Sequence, residues 1–266
     1  MKKQTIHTIQ SLKQKGEPIS VLTAYDSSFS KLISEVGIEV MLVGDSLGMV
    51  MQGHDSTVPV SMTDMIYHTG CVSRTNRSAL LIADLPYMSY AHKKQTCKNA
   101  AKLMQAGANM VKLEGGKWVC SSIKVLVERG IPVCGHIGLT PQSVDALGGY
   151  KVQGRDEEQA KNLIKDAKAI EKAGAQLLVL ECVPSQLAKT ITELLSIPTI
   201  GIGAGKHTDG QVLVLQDILG LNKDFRPKFV KNFMAEEDST DIKGAIASYK
   251  RQVKDRSFPS DEHSFS

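Results

Sequence analysis

Residues 36–60, VGIEVMLVGDSLGMVMQGHDSTVPV, decide the fold. A short apolar run, Val40 to Val43, stops at Gly44 and Asp45, and a loop containing Gly, Ser and His follows before Pro59. The run is too short and too aliphatic for an exposed helix, so it reads as a buried strand whose end delivers a carboxylate. The texture recurs. Gly107 leads through an apolar run to Glu114 in AGANMVKLEGG, Gly174 leads through another to Glu181 in AGAQLLVLECV, and LLIADLP ends its run at Asp84. The glycines stand where a preceding helix needs a left-handed cap. The repeating unit is helix, glycine, strand, acid.

Working outward, Ile6, Ile9 and Leu12 at helical spacing predict a helix over 5–15, ended by Lys15-Gly16 ahead of Pro18. Strands are expected at SVLTAYD (20–26), the Val40 run, ALLIADLP (79–86), NMVKLEG (109–115), IPVCGHIG (131–138), QLLVLECV (176–183) and PTIGIGAG (198–205), with QVLVLQDILG (211–220) supplying the eighth. Helical stretches separate them. The clearest is 156–173, with Leu163, Ile164, Ala167 and Ile170 on one face and charges on the other. Eight such units without a composition break predict an α/β fold of one domain over 1–266: a closed (β/α)8 TIM barrel rather than an open, doubly wound sheet. An N-terminal helix occupies 1–18, and a C-terminal helical extension with a polar tail runs from about 237 to 266.

Composition narrows the function. Apolar residues make up 42% of the 266, ample for a large core, and aromatics only 5%, in keeping with a barrel filled by branched aliphatics. The net charge of +4 is spread along the chain without like-charge blocks, which argues against a nucleic-acid partner. Five cysteines include no C-x-x-C, and their odd number fits a reducing compartment better than a disulfide framework. The N-terminus has no apolar core of a signal peptide, and no window reaches the roughly 18 apolar residues of a membrane span, so a cytoplasmic protein is expected.

In a barrel of this type the C-terminal strand ends converge on the active-site face. Asp45, Asp84, Glu114, His136 and Glu181 all fall at that station. Residues two apart on a strand share a face, so Lys112 and Glu114 point together. Neighbouring strands lie about 4.8 Å apart, close enough for Asp45 and Asp84 to hold one cation. An all-oxygen pair suits a hard ion, Mg²⁺ above all. Taken singly, a strand-end acid is more often a helix cap or a surface ion pair, and Asp45 followed by Ser46 keeps the capping alternative open. His136, on the face of Cys134, reads equally as a structural histidine. The GIGAG segment, 201–205, reads as a tight turn rather than a phosphate cradle, and Cys182 as packing.

The stretches TAYD, VGDSLGMVMQGHDSTVPV, ADLPYMSY, AGANMVKLEGG, PVCGHIGLTPQSV, GGYKVQGR, AGAQLLVLECVP, IGIGAG, DGQVLV and the closing EHSF together resemble the ketopantoate hydroxymethyltransferase family, from about Thr23 to Phe265. The resemblance implies Mg²⁺ held by Asp45 and Asp84, with Glu114 as a further, water-mediated ligand. It implies substrate contacts from Asp45, Ser46, Asp84 and Lys112, and Glu181 as proton acceptor. His136, from its place at the strand end and not from the resemblance, is a candidate supporting residue. It further implies 3-methyl-2-oxobutanoate as substrate, 5,10-methylenetetrahydrofolate as cosubstrate, and a cytoplasmic homo-oligomer, commonly a decamer. Departures at Lys206-His207 and over 221–226 lie away from those positions. Two other readings stay open. A related Mg²⁺ barrel acting as a carbon–carbon lyase or phosphonomutase would place a reactive cysteine on a loop, and none here follows the expected acidic strand end. A non-catalytic barrel would have no use for Lys112 and Glu181.

Overall fold

The computed structural model describes residues 3–222, 226–237 and 239–266; part of the divergent segment 221–226 therefore lies outside the described residues. Eight parallel strands close into a barrel in sequence order. They are β1 (Ile19–Thr23), β2 (Val40–Val43), β3 (Leu80–Asp84), β4 (Met110–Glu114), β5 (Val133–Gly138), β6 (Leu177–Glu181), β7 (Thr199–Ile202) and β8 (Gly210–Leu213), with β8 pairing back onto β1.

The strands read as continuous apolar runs because both of their faces are covered. Alternate residues sort into two cores. Val21, Leu42, Ile82, Met110, Cys134, Val179 and Val212 face the barrel interior, while Val43, Leu81, Val111, Leu113 and Leu180 pack outward under the helices. The N-terminal helix, Ile6–Lys15, belongs to the interior: Ile9 is fully buried in the same cluster, with Ile6 and Leu12 packed beside it. That helix plugs the barrel at the end opposite the strand C-termini. Helix starts carry local caps. The Asp26 carboxylate accepts from the N–H groups of Ser28 and Phe29, and Ser61 and Asp64 form a reciprocal capping box.

The last two units depart from the expected alternation. No helix separates β7 from β8; the connection is the turn 203–209. The stretch expected to be the eighth strand divides, its first part in β8 and its second forming the short helix Leu215–Ile218. Apolar periodicity alone does not separate a short buried strand from a short buried helix, and the Thr23 hydroxyl decides it locally by accepting the Leu215 N–H at 3.0 Å. The loops expected after β2 and β5 also hold short helices, Leu47–Val50 and Val144–Leu147.

The seam between β8 and β1 is closed by the C-terminal helix, Ile242–Lys254. The fully buried Tyr249 donates its hydroxyl to the carbonyls of Val21 on β1 and Gln211 on β8, each at 2.8 Å, and its ring meets Phe233 and Phe258 edge-on. Replacing Tyr249 by Phe keeps the packing and strips both acceptors of their donor. A loss of about 1–3 kcal/mol in unfolding free energy is expected by denaturant titration, and an unchanged midpoint would contradict this role for the hydroxyl.

Candidate active site

The strand register sets the site at one level. Asp84 on β3 pairs with Lys112 on β4, Glu114 with His136 on β5, and Gly138 with Glu181 on β6. Asp84, Lys112, Glu114, His136 and Glu181 are in phase with the interior aliphatics below them, so their side chains rise as the top layer of the barrel filling. They line a cavity of about 840 Å³ at the C-terminal mouth, together with Asp45 and Ser46.

Asp45 reaches the site differently. β2 ends at Val43, so Asp45 sits two residues beyond it, in the turn leading to Leu47–Val50. It caps nothing: that short helix has no side-chain cap. Its backbone N–H donates to Asp84 Oδ2 at 3.1 Å, and its Oδ2 accepts from Gln142 Nε2 at 2.8 Å. Ser46 shares a hydrogen bond of 2.8 Å with the buried Tyr25 hydroxyl.

Lys112 is the hub. Its ammonium, on a side chain only 5% exposed, lies 3.2 Å from Asp84 Oδ2 and 3.6 Å from Glu114 Oε1. Burial would lower its pKa, but Asp84, Glu114 and Asp45 outweigh that and drive it well above the usual lysine value. Burial pushes Asp45 up, helped by Glu114 and Asp84, and burial also raises Asp84 against the pull of Lys112. Glu114 goes the other way: burial is overcome by His136 and Lys112, and its pKa falls. His136 is pushed up to about 9, because Glu114 and Glu181 outweigh burial and the Lys112 charge. A protonated ring donates from Nδ1 to Glu114 Oε1 at 3.2 Å. Lys112 Nζ, also 3.2 Å from Nδ1, is then a neighbouring like charge rather than a donor to it.

Glu181 stands apart from this cluster. Its Oε2 lies 3.2 Å from His136 Nε2, at ion-pair distance but without the alignment of a hydrogen bond, and its side chain is more exposed, at 13% against 3% for Glu114. Its backbone is held by Leu139, whose N–H donates to the Glu181 carbonyl at 2.8 Å. That contact needs Gly138: with φ of 93°, any Cβ there would lie 2.2 Å from the Glu181 carbonyl oxygen.

All of the residues expected from sequence line one cavity, and one partner, Gln142, went unforeseen. Gln142 follows β5 in the turn Pro141–Ser143. Its Nε2 donates to Asp45 Oδ2 and to the Leu85 carbonyl, its backbone N–H donates to Glu114 Oε2, and its Oε1 accepts from the Tyr90 hydroxyl at 2.6 Å. The only sequence signal was the Thr140-Pro141 pair opening a turn at the mouth of the barrel. Among the described residues, no three His, Cys, Asp or Glu side chains are gathered as a ready metal cage.

A (β/α)8 barrel with a buried lysine among carboxylates at its C-terminal mouth and a separate, more exposed glutamate beyond them has the construction of an enzyme. The sequence profile described as ketopantoate hydroxymethyltransferase matches residues 3–261. The 3-methyl-2-oxobutanoate hydroxymethyltransferases of Erwinia tasmaniensis and Colwellia psychrerythraea are 59% and 57% identical over 265 residues, covering the whole of both chains in each case. The chain belongs to the ketopantoate hydroxymethyltransferase family and is a transferase of pantothenate synthesis. The barrel is also similar to a phosphonopyruvate hydrolase solved with oxalate and Mg²⁺, at a TM-score of 0.63 and 12% identity, over 98% of this chain and 93% of that one.

Lys112 is the charge on which the buried carboxylates depend. Lys112→Met is expected to cost about 3–5 kcal/mol of stability near neutral pH, because three acids lose their buried counter-charge. The sign of the pH effect follows from Asp45 and Asp84, which bind protons more tightly folded than unfolded. Stability in chelator therefore falls as pH rises above the ordinary aspartate range, more steeply in the variant than in the parent. Parallel pH profiles of denaturant midpoints would contradict it.

Proposed function

We propose that the cavity joins 3-methyl-2-oxobutanoate and 5,10-methylenetetrahydrofolate, with one water, to give 2-dehydropantoate and tetrahydrofolate. The observation that carries the reading is the division of labour in the mouth: a cationic, carboxylate-lined wall on β2 to β5, and one separate carboxylate, Glu181, beyond His136.

The residues fit a divalent cation. Asp84 Oδ1 is buried without a hydrogen-bond partner among the described residues, while Oδ2 takes the Asp45 N–H and Lys112. Asp45 likewise has Oδ2 engaged by Gln142. Two aspartates with one oxygen each to spare suit Mg²⁺, which takes one or two carboxylates and fills its shell with water and substrate oxygens. Glu114 has both oxygens occupied, by His136 and by the Gln142 amide, and so contributes through a water. When bound, the ion supplies Lewis-acid polarisation of the oxoacid's ketone.

The protein's own groups do the rest. Lys112 and Ser46 orient the anionic end of the oxoacid, which leaves C3 towards Glu181. Glu181 removes the C3 hydrogen as a proton. Charge then reaches the ketone oxygen, where Lys112 stabilises it by several kcal/mol. Glu181 is suited to this because it stands outside the aspartate pair, and His136, charged beside it, positions its carboxylate. Water opens the methylene bridge, breaking both of its C–N bonds to release tetrahydrofolate and formaldehyde; the carbanionic C3 adds to the formaldehyde carbon, and the alkoxide formed takes back the proton held by Glu181, which restores the base. No covalent enzyme intermediate is required. The protein works in the cytoplasm as a homo-oligomer, with a decamer expected from a mass measurement in solution.

The deciding assay is tetrahydrofolate formation dependent on both 3-methyl-2-oxobutanoate and Mg²⁺; turnover without either would overturn the reading. Glu181→Gln is expected to retain oxoacid binding while C3–H exchange in deuterated solvent drops by about a hundredfold or more, and exchange at the parent rate would remove Glu181 from the role of base. Asp84→Ala is expected to lose Mg²⁺ affinity in a metal titration, where an unchanged curve counts against the assignment. Gln142→Leu is expected to weaken the same affinity by about ten- to a hundredfold, as second-layer partners of metal ligands do.

A further inference from the structure

The cavity is much larger than a small branched oxoacid needs. At about 840 Å³ it falls within the range that encloses a drug-sized ligand. The charged residues described above account for the β2 to β6 side of the mouth. The remaining sector, over β7, β8 and β1, is built differently. Its walls are Ile202, Val214, Leu221, Phe229 and Phe265, and one acid, Asp217, faces into it from the helix Leu215–Ile218.

We propose that this sector seats the pteridine ring of the one-carbon carrier, with the Asp217 carboxylate accepting from the ring's N–H edge. The proposal rests on the folate-dependent reading above and adds to it the part of the site that recognises the carrier.

A 2-amino-4-oxopteridine presents an exocyclic amine beside a ring N–H, two donors spaced to meet the two oxygens of a carboxylate. Its flat faces call for apolar and aromatic walls. Asp217 is short of donors. Its Oδ1 accepts from Asn222 Nδ2 at 2.9 Å, and Oδ2 has no hydrogen-bond partner among the described residues. Burial raises its pKa, and the Asn222 bond and the Arg226 charge offset only part of the rise.

The aromatic walls are fixed in place. Gly203, with φ of 61°, ends β7 so closely beneath two rings that a Cβ would lie 2.9 Å from Phe229 Cδ1 and 3.0 Å from Phe265 Cε2. The Ser185 N–H donates to the Phe265 carbonyl at 2.9 Å. Lys228 donates to the Ser264 carbonyl and lies 5.4 Å from the Phe265 ring centroid, which places a cation on the rim where the carrier's anionic glutamyl tail would leave.

The location suits the chemistry. Ile202 is the register partner of Glu181, so the apolar sector begins where the base stands. The two reactants would then meet beside Glu181.

The test is calorimetric titration of tetrahydrofolate into the full-length parent and Asp217→Asn, repeated with the analogue in which methyl replaces the 2-amino group. The parent is expected to bind the analogue about ten- to a hundredfold more weakly than tetrahydrofolate, and Asp217→Asn to lose a similar factor for tetrahydrofolate. The two losses are not additive if they are the same contact, so the variant should scarcely distinguish the ligands. Unchanged tetrahydrofolate affinity in Asp217→Asn, or full discrimination retained by the variant, overturns the proposal and leaves folate dependence standing. Should the variant fail to fold, the parent decides alone: equal affinity for the two ligands overturns the proposal. A parent that binds neither ligand and turns over without folate defeats the folate reading itself, and does so before any substitution is made.

Discussion

The site depends on one buried positive charge. Lys112 sits on a barrel strand where a TIM barrel ordinarily continues its aliphatic filling, and it is tolerated there because Asp84 and Glu114 flank it at ion-pair distance. The dependence is mutual. Asp45, Asp84 and Glu114 converge in a volume where three like charges would otherwise repel, and without the ammonium at least one would be held neutral. Both aspartates are raised even with Lys112 present, chiefly by burial and then by the neighbouring acids. The divalent cation proposed above would offset both effects.

Around this hub the fold separates what must be rigid from what must be reachable. Gln142 gathers Asp45, Glu114, Leu85 and Tyr90 into one network from a loop rather than a strand, so the β2, β3, β4 and β5 ends are tied across their tops. Glu181 is left out of that network. Its carboxylate lies at ion-pair distance from His136 and is more open than those of Asp84 and Glu114, which suits the role of base proposed for it. Gly138, the last residue of β5, lets the Glu181 backbone approach and keeps it in register.

Much of this was legible in the sequence. Strand parity placed Lys112 with Glu114, and the repetition of glycine, apolar run and acid gave the barrel, because both follow from local periodicity. What escaped was what periodicity does not encode. Asp45 lies out of phase with β2 and is carried into the site by a turn, so its position depends on Gln142, a residue almost a hundred positions away in the chain. The QVLVLQDILG stretch is apolar enough for either a strand or a helix, and only closure of β8 onto β1 chooses between them. That the first helix belongs to the barrel interior was equally hidden, since Ile6, Ile9 and Leu12 would serve any amphipathic helix. The sequence marked 201–205 as a tight turn, but what shapes it, two rings resting on the Gly203 backbone, required the tertiary structure.

The helix that stoppers the far end of the barrel has a kinetic corollary. With Ile9 sealing that end, the described residues leave the mouth at the strand C-termini as the doorway. On the two-substrate reading proposed above, a small ketoacid seated beneath a bulky pteridine would have to arrive first and exit last, sequential traffic in which the larger molecule acts as the door.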